Sequence, residues 1–127
     1  MRLRFDPQAG LIVVPTRVWG PAGKTVARLA LDTGATGSLL SWDIAVLLGY
    51  DPSIVQERLQ IVTGSGVEFV PAIPIRKLEA LGRTRKKFTV LCHTLPPSAS
   101  VDGLLGLDFF HGQRLIIDFR AGSVRLE

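Results

Sequence analysis

Cysteine and histidine are scarce in this chain of 127 residues, which contains one cysteine and two histidines. A single cysteine, Cys92, excludes an intramolecular disulfide and suits a reducing compartment. Cys92 and His93 are adjacent, so in a strand they would point to opposite faces, and only His111 remains as a further soft ligand. The sequence therefore predicts neither a metal site nor a cofactor.

Long apolar runs are also absent. No stretch approaches the ~20 apolar residues that a membrane-spanning helix needs. The N-terminal apolar run, residues 11–15, is too short for a secretory signal peptide. We therefore expect a cytoplasmic protein with no membrane partner and, because the chain begins at Met1, no long pro-segment.

Charge is low, with 20% charged residues against 46% hydrophobic ones, so the composition favours a collapsed core over disorder. At this length, residues 1–127 are expected to form a single domain. The apolar fraction also indicates a surface that needs cover, and dimerisation would provide it.

The net charge of +4 would allow an acidic partner. The densest basic run contains Arg76, Lys77, Arg83, Arg85, Lys86 and Lys87. No aromatic residue interleaves in this run to stack on bases, and no nucleic-acid motif accompanies it. We interpret the run as a solvated hairpin and expect no nucleic acid partner.

Short runs of Val, Ile, Leu and Phe recur between Gly and Pro residues, a pattern that predicts an all-β fold with one or two short helices. The predicted strands are residues 11–19, 24–31, 58–62, 67–73, 75–81, 86–92, 115–119 and 123–126. A first helix is predicted over residues 42–48, with Ser41 as its N-cap, and a second ends within residues 109–112. Residues 96–100 are predicted to form a loop.

The most informative segment is residues 29–38, Leu-Ala-Leu-Asp-Thr-Gly-Ala-Thr-Gly-Ser. An apolar strand delivers one carboxylate, Asp32, into a turn of small and hydroxyl residues. Gly34 lets the backbone approach a ligand closely, and the hydroxyls of Thr33 and Thr36 can lock the loop. The plainer alternative is a turn with a capping aspartate.

This segment, with Ala35 completing Asp-Thr-Gly-Ala, resembles the retropepsin-like aspartic proteases. A downstream block at residues 101–110, Val-Asp-Gly-Leu-Leu-Gly-Leu-Asp-Phe-Phe, and a further match at residues 116–119 extend the resemblance to residues 11–126. It implies an acid-protease β-barrel with one or two short helices, assembled as a C2 homodimer around Asp32. It also implies that Leu104 walls the substrate cleft and that Thr63, Gly64, Ser65 and Gly66 form the tip of a flap.

Aspartic proteolysis needs two carboxylates that share one proton, whereas this chain contains a single Asp-Thr-Gly. The second carboxylate is therefore expected from another copy of the chain. The implied function is an aspartic endopeptidase that cleaves extended protein or peptide segments. A non-catalytic peptide-binding or dimerisation module on the same fold remains the alternative.

Two segments resemble phosphate-binding motifs. Residues 20–25 end in Gly-Lys-Thr, but a phosphate loop needs a glycine where Val18 stands. The Asp-x-Gly-x-Thr pattern of the actin and sugar-kinase group is present, but those folds need two large α/β domains.

The chain also departs from the retroviral enzymes after Gly106, where Leu107 and Asp108 replace Arg-Asn. We therefore expect the charge link that Arg-Asn makes in those enzymes to be absent and the dimer contacts to differ. Residues 124–127 also do not obviously match the interlocking terminal strand of those enzymes.

Overall fold

A computed structural model describes residues 1–96 and 98–127, and it describes the backbone alone of Thr63. The strands are β1 (Arg2–Arg4), β2 (Val13–Gly20), β3 (Gly23–Leu31), β4 (Leu39–Ser41), β5 (Arg58–Thr63), β6 (Gly66–Ala80), β7 (Arg83–His93), β8 (Gly103–Leu105), β9 (Leu115–Asp118) and β10 (Ser123–Leu126). The helices are α1 (Trp42–Leu47) and α2 (Leu107–Phe110), with a 3-10 turn at Pro52–Ile54. The predicted all-β fold with two short helices is confirmed.

Six of the strands close into a barrel. Their order is β2-β3-β8-β4-β7-β6, and β6 pairs back with β2 to complete the ring. The β3–β8 and β4–β7 pairs are parallel and the others are antiparallel. Alternate residues of β2, Val14, Thr16 and Val18, are buried inside the barrel, as the period of two in a strand requires.

A hairpin projects from the barrel. We call residues 58–71 the flap hairpin: β5 pairs with the first part of β6, from Arg58 opposite Pro71 to Thr63 opposite Gly66. Gly64 and Ser65 form its two-residue turn, and Gly66 follows at a φ of 124°, a conformation that favours glycine. The predicted flap tip therefore lies at the end of a tight hairpin.

The strand β6 is continuous where the sequence predicted two strands separated at Pro74. Residues 66–71 pair with β5 alone, and residues 72–75 pair with β7 alone. Pro71 and Pro74 thus lie where β6 is paired with one neighbouring strand only. A proline is tolerated there because the other side of β6 has no ladder that needs its N–H. The prediction of a break was wrong because it ignored this one-sided pairing.

A second sheet of three strands joins the two ends of the chain in the order β1-β10-β9. The sequence analysis predicted β9 and β10 but missed β1, and it also missed β4 and β8 inside the barrel. All three missed strands are three residues long. Strands of that length carry no clear local pattern, because their partners are distant in sequence.

The basic run lies on the β6–β7 hairpin, whose turn is Leu81–Gly82, shorter than the predicted turn at residues 82–85. The Lys77 Nζ atom lies 4.1 Å from the ring centroid of Trp19, which neighbouring β2 supplies. An aromatic residue from a neighbouring strand therefore lies beside the run in the folded chain, although the run itself was predicted from its sequence to have none interleaved. Only part of the run is solvated, since Arg85 turns towards α2.

The helices begin near their predicted positions. Ser41 caps α1, its Oγ accepting from the Ile44 N–H at 3.2 Å, as predicted. The second helix begins at Leu107, earlier than expected, because Gly106 serves as its N-cap. Among the described residues, no helix is long and apolar enough to cross a membrane. The predicted loop at 96–100 includes Pro97, which lies outside the described residues.

Two phenylalanines differ in burial, so we expect their replacement to lower the free energy of unfolding by different amounts. Phe109 is fully buried and contacts Phe88 and Phe110 edge to face, whereas Phe119 is 63% exposed. Replacing Phe109 with alanine leaves a cavity, so we expect Phe109→Ala to lower the free energy of unfolding by about 3–5 kcal/mol. The matched Phe119→Ala should cost about 1 kcal/mol. Urea unfolding of both variants tests this, and equal losses would contradict it.

Candidate active site

Asp32 follows the last residue of β3 and is half-buried. Its N–H donates to the Leu105 carbonyl at 3.0 Å, so the start of the loop is tied to β8. Its Oδ1 atom accepts from the Gly34 N–H at 2.9 Å, and its carbonyl accepts from the Ala35 N–H at 3.2 Å. The backbone of the predicted motif therefore holds this carboxylate in one orientation.

Gly34 lies directly beside the Asp32 side chain, and its predicted close approach to a ligand stays a prediction. A Cβ atom at this position would lie 3.1 Å from Asp32 Oδ1. A side chain here would crowd the carboxylate that the Gly34 N–H binds. A larger residue at this position would therefore require the Asp32 carboxylate to shift.

The short strand β8 brings a second loop against the first. Its residues pair with β3 in parallel, from Leu29 opposite Gly103 to Leu31 opposite Leu105. At the next residue, Gly106, a Cβ atom would lie 2.8 Å from the carbonyl oxygens of Ala35 and Gly37. The Leu107 N–H then donates to the Ala35 carbonyl at 2.8 Å. The two loops are therefore packed backbone to backbone.

Ser38 and Asp108 lock these loops together. Ser38 is buried, its N–H donates to Asp108 Oδ2 at 3.0 Å, and its hydroxyl donates to Asp108 Oδ1 at 2.7 Å. The same hydroxyl accepts from the Gly106 N–H at 3.0 Å. Sequence reasoning missed both residues as site residues, although Ser38 and Asp108 each lie within the segments that carried the resemblance.

An arginine on a distant strand binds the backbone carbonyls around α2. The Arg85 Nη2 atom donates to the carbonyls of Asp108, Phe109 and His111 at 3.3, 2.9 and 3.2 Å. This contact joins Arg85 to backbone carbonyls and is not the Arg-Asn link of the retroviral enzymes, so the expected absence of that link stays a prediction. Neither Asp108 nor Arg85 could be paired with its partner from the local motif, because β7 and α2 are remote in sequence.

A cleft of about 730 Å³ opens beside Asp32. Among the described residues, its lining comes from the loop residues Asp32, Gly34, Ala35, Thr36, Gly37 and Ser38, the flap residues Leu59, Gln60, Ile61 and Val62, and the residues Leu39, Thr89, Leu91, Leu104 and Asp108. Leu104 therefore lies where the resemblance placed it. The wall supplied by β5 was missed, because the sequence analysis assigned the flap's role to its tip.

The other predicted site residues lie near the cleft but outside this lining. Thr33 is exposed in the loop between Asp32 and Gly34. Gly64, Ser65 and Gly66 lie at the far end of the flap hairpin, beyond the β5 residues that form the wall. Thr63 contributes its backbone to the last pair of the hairpin. The roles of these residues stay predictions.

The family profile described as aspartyl protease matches residues 14–109, most of the chain. The chain belongs to the aspartyl protease family. This match contains residues 29–38 and the block from residue 101 to residue 109, and it ends before residues 116–119. The retropepsin-like assignment is confirmed.

Solved structures share the fold of this aspartyl protease family member. The crystal structure of a retropepsin-like aspartic protease from Rickettsia conorii is 16% identical, with a TM-score of 0.71, and the match covers 100% of this chain and 98% of that one. The retroviral protease-like domain of Ddi1 from Leishmania major is 18% identical, with a TM-score of 0.58, and the match covers 94% of this chain and 96% of that one. No curated protein matches the chain.

The carboxylates of this aspartyl protease family member differ in how they are engaged. Both oxygens of Asp108 bind Ser38, whereas Asp32 has one oxygen bound to the Gly34 N–H. Asp108 is therefore committed to holding the loops. Among the described residues, no group of three or more His, Cys, Asp and Glu side chains could hold a metal ion.

The Ser38 network predicts a measurable stability loss. Ser38→Ala removes a buried hydroxyl and leaves Asp108 Oδ1 and the Gly106 N–H without that partner. Because unsatisfied buried polar groups are costly, we expect the free energy of unfolding to fall by about 1–3 kcal/mol. Ser53→Ala, at an exposed serine, should cost less than about 1 kcal/mol. Similar losses in urea unfolding would show that the network adds little.

Proposed function

We propose that this protein is an aspartic endopeptidase that uses a water molecule activated by Asp32 from each of two subunits. One observation carries the proposal: a carboxylate oriented by the Gly34 N–H lines a large cleft within an aspartyl protease fold. The family match supports peptidase chemistry. The two-subunit arrangement goes beyond the family match, and subunit mixing tests it.

The chemistry follows from bringing two copies of Asp32 together. Two carboxylates a few ångströms apart cannot both be ionised, so the pair holds one proton. The ionised member takes a proton from water, which attacks the scissile carbonyl carbon. The protonated member donates a hydrogen bond to the carbonyl oxygen and stabilises the tetrahedral intermediate. Collapse of that intermediate breaks the C–N bond, and the leaving amine takes up a proton.

We infer a second subunit because, among the described residues that line the cleft, Asp108 is the only carboxylate besides Asp32. The chain has a single Asp-Thr-Gly, and both oxygens of Asp108 are already bound to Ser38. The exposed position of Thr33 supports contact between the two loops across a two-fold axis. The proposed assembly is therefore a C2 homodimer with one composite site.

The cleft supports an extended peptide with apolar side chains as substrate. Apart from the catalytic loop, its lining is largely aliphatic, from Leu39, Leu59, Ile61, Val62, Leu91 and Leu104. A strand of the flap hairpin forms one wall, and a strand can recognise an extended peptide through its backbone and through alternate side chains. We therefore propose cleavage next to apolar residues.

Replacing Asp32 tests the catalytic assignment. Asp32→Asn keeps the side-chain shape and can still accept from the Gly34 N–H, but it cannot exchange the proton. We expect loss of cleavage in a peptide-library digest, with folding and peptide binding retained. Asp43→Asn, in the first turn of α1, should cleave normally. If Asp32→Asn cleaves at the wild-type rate, the non-catalytic peptide-binding module becomes the better interpretation.

Subunit mixing tests the dimer. When wild type and Asp32→Asn exchange at random in equal amounts, half of the wild-type subunits enter mixed dimers. Cleavage should then fall to about half of that of the same wild-type amount alone, because a mixed dimer lacks one of the two carboxylates. Activity per subunit should also fall on dilution. Full activity in both experiments would show that one chain is sufficient.

A further inference from the structure

An ion pair joins the flap hairpin to the barrel. Glu68 lies on β6, two residues beyond Gly66, and His93 is the last residue of β7. The His93 Nε2 atom lies 3.0 Å from Glu68 Oε2, and its Nδ1 atom lies 2.7 Å from the Thr94 carbonyl oxygen. Neither the family motifs nor the sequence analysis assigns a role to this contact.

The geometry requires a doubly protonated imidazole. A carbonyl oxygen and a carboxylate oxygen both accept hydrogen bonds, and neither has a hydrogen to donate. A neutral imidazole has a single N–H, so it could satisfy only one of these two partners. Both contacts are hydrogen bonds only when His93 is an imidazolium, which makes the pair sensitive to pH.

The surroundings of His93 contain little else that would control its charge. The hydrogen bond to Glu68 raises the pKa of His93, the Thr94 carbonyl raises it further, and desolvation opposes both. Ser41, opposite His93 on β4, is uncharged, and burial raises the pKa of the neighbouring Cys92 thiol to about 11, so it is neutral. Asp43 is the ionisable residue of α1, which also packs on β7, and it is not a cause of this shift.

The contact lies where the flap hairpin leaves the barrel. Residues 66–71 of β6 pair with β5, and pairing with β7 begins only at Ala72. Val70 is buried near the base of the hairpin, and Glu68 lies closer to the tip. In the same structure Leu59 and Ile61 of β5 line the cleft. The ion pair is therefore present in the arrangement in which β5 of the hairpin forms a wall of the cleft.

We propose that Glu68 and His93 are positioning residues that latch the flap hairpin over the cleft while His93 carries its proton. The part of the proposal that concerns peptide turnover rests on the proposed function, and the latch itself does not. Because the latched state raises the pKa of His93, the latch holds below that pKa and is lost as the pH rises through it.

The latch is tested first without any measurement of cleavage. His93 is titrated by NMR in Asp32→Asn protein, which removes the ionisable pair from the site, with His111 as an internal reference. Adding Glu68→Gln should lower the pKa of His93, because the charged partner is lost. Adding Glu57→Gln, at an exposed residue beside β5, should leave it unchanged. An unchanged pKa in the Glu68→Gln protein would overturn the proposal.

Hydrogen exchange shows whether the pair positions the hairpin. In the Asp32→Asn protein, amide protection in residues 58–71 should decrease as the pH rises through the pKa of His93, after correction for the intrinsic exchange rate. Glu68→Gln should abolish this step, and Glu57→Gln should retain it. A step that persists in Glu68→Gln would show that another group controls the hairpin.

Kinetics and binding then connect the latch to the proposed enzyme. Because the pair is partly exposed, we expect Glu68→Gln to raise KM for an apolar peptide about two- to fivefold in mildly acidic solution, with kcat little changed. The double variant Glu68→Gln/His93→Gln can form an amide–amide hydrogen bond, so it should recover part of this loss without a dependence on pH. A change confined to kcat would overturn the positioning role.

The same comparison works if the protein has no protease activity. Peptide binding to the Asp32→Asn protein, measured by calorimetry, should weaken two- to fivefold on adding Glu68→Gln. A latch seen by NMR and exchange without any cleavage would reject the proposed function and keep the latch. Cleavage that depends on Asp32 but is indifferent to Glu68 at every pH would keep the function and reject the latch.

Discussion

The site depends on the double pairing of β8, a strand of three residues held between two others. It runs parallel to β3 and antiparallel to β4, so it fixes both ends of the segment that contains Asp32. Gly103 makes this possible, because a side chain there would collide with the Leu39 backbone. Once β8 is in place, the Leu105 carbonyl meets the Asp32 N–H and Gly106 reaches Ser38. Orientation of the carboxylate is therefore a consequence of barrel closure.

The charged groups around these loops differ in what they bind. Asp108 and Arg85 are both charged groups close to the loops, yet hydrogen bonds to Ser38 and to the carbonyls around α2 occupy them. Half-buried charged groups such as these are tolerated when they are bonded in this way. Asp32 is held by backbone groups at the edge of an open cleft instead. It is thus the carboxylate whose environment leaves it available to a substrate, a water molecule or a second subunit.

The sequence was sufficient for the features that local chemistry determines. The strand before Asp32, the Ser41 cap of α1 and the turn of the flap hairpin each follow from a few neighbouring residues, and the structure has all three. Features that depend on distant partners were missed, including the short strands and the contact of Arg85 with α2. Pro74 led to the wrong prediction of a break for the same reason, because its tolerance depends on which sides of β6 are paired.

Continuity of β6 also explains why the flap hairpin can respond to a charge in the barrel. One strand contributes to the flap through its first residues and to the closed barrel through its last, without an intervening loop. A contact beside the point where β6 separates from β7 therefore restrains the orientation of the whole flap hairpin, because the two strands of the hairpin are paired with each other. The Glu68–His93 pair lies at that point. A partly exposed ion pair of modest strength can matter here because it restrains orientation, whereas the fold itself is stabilised by the buried core.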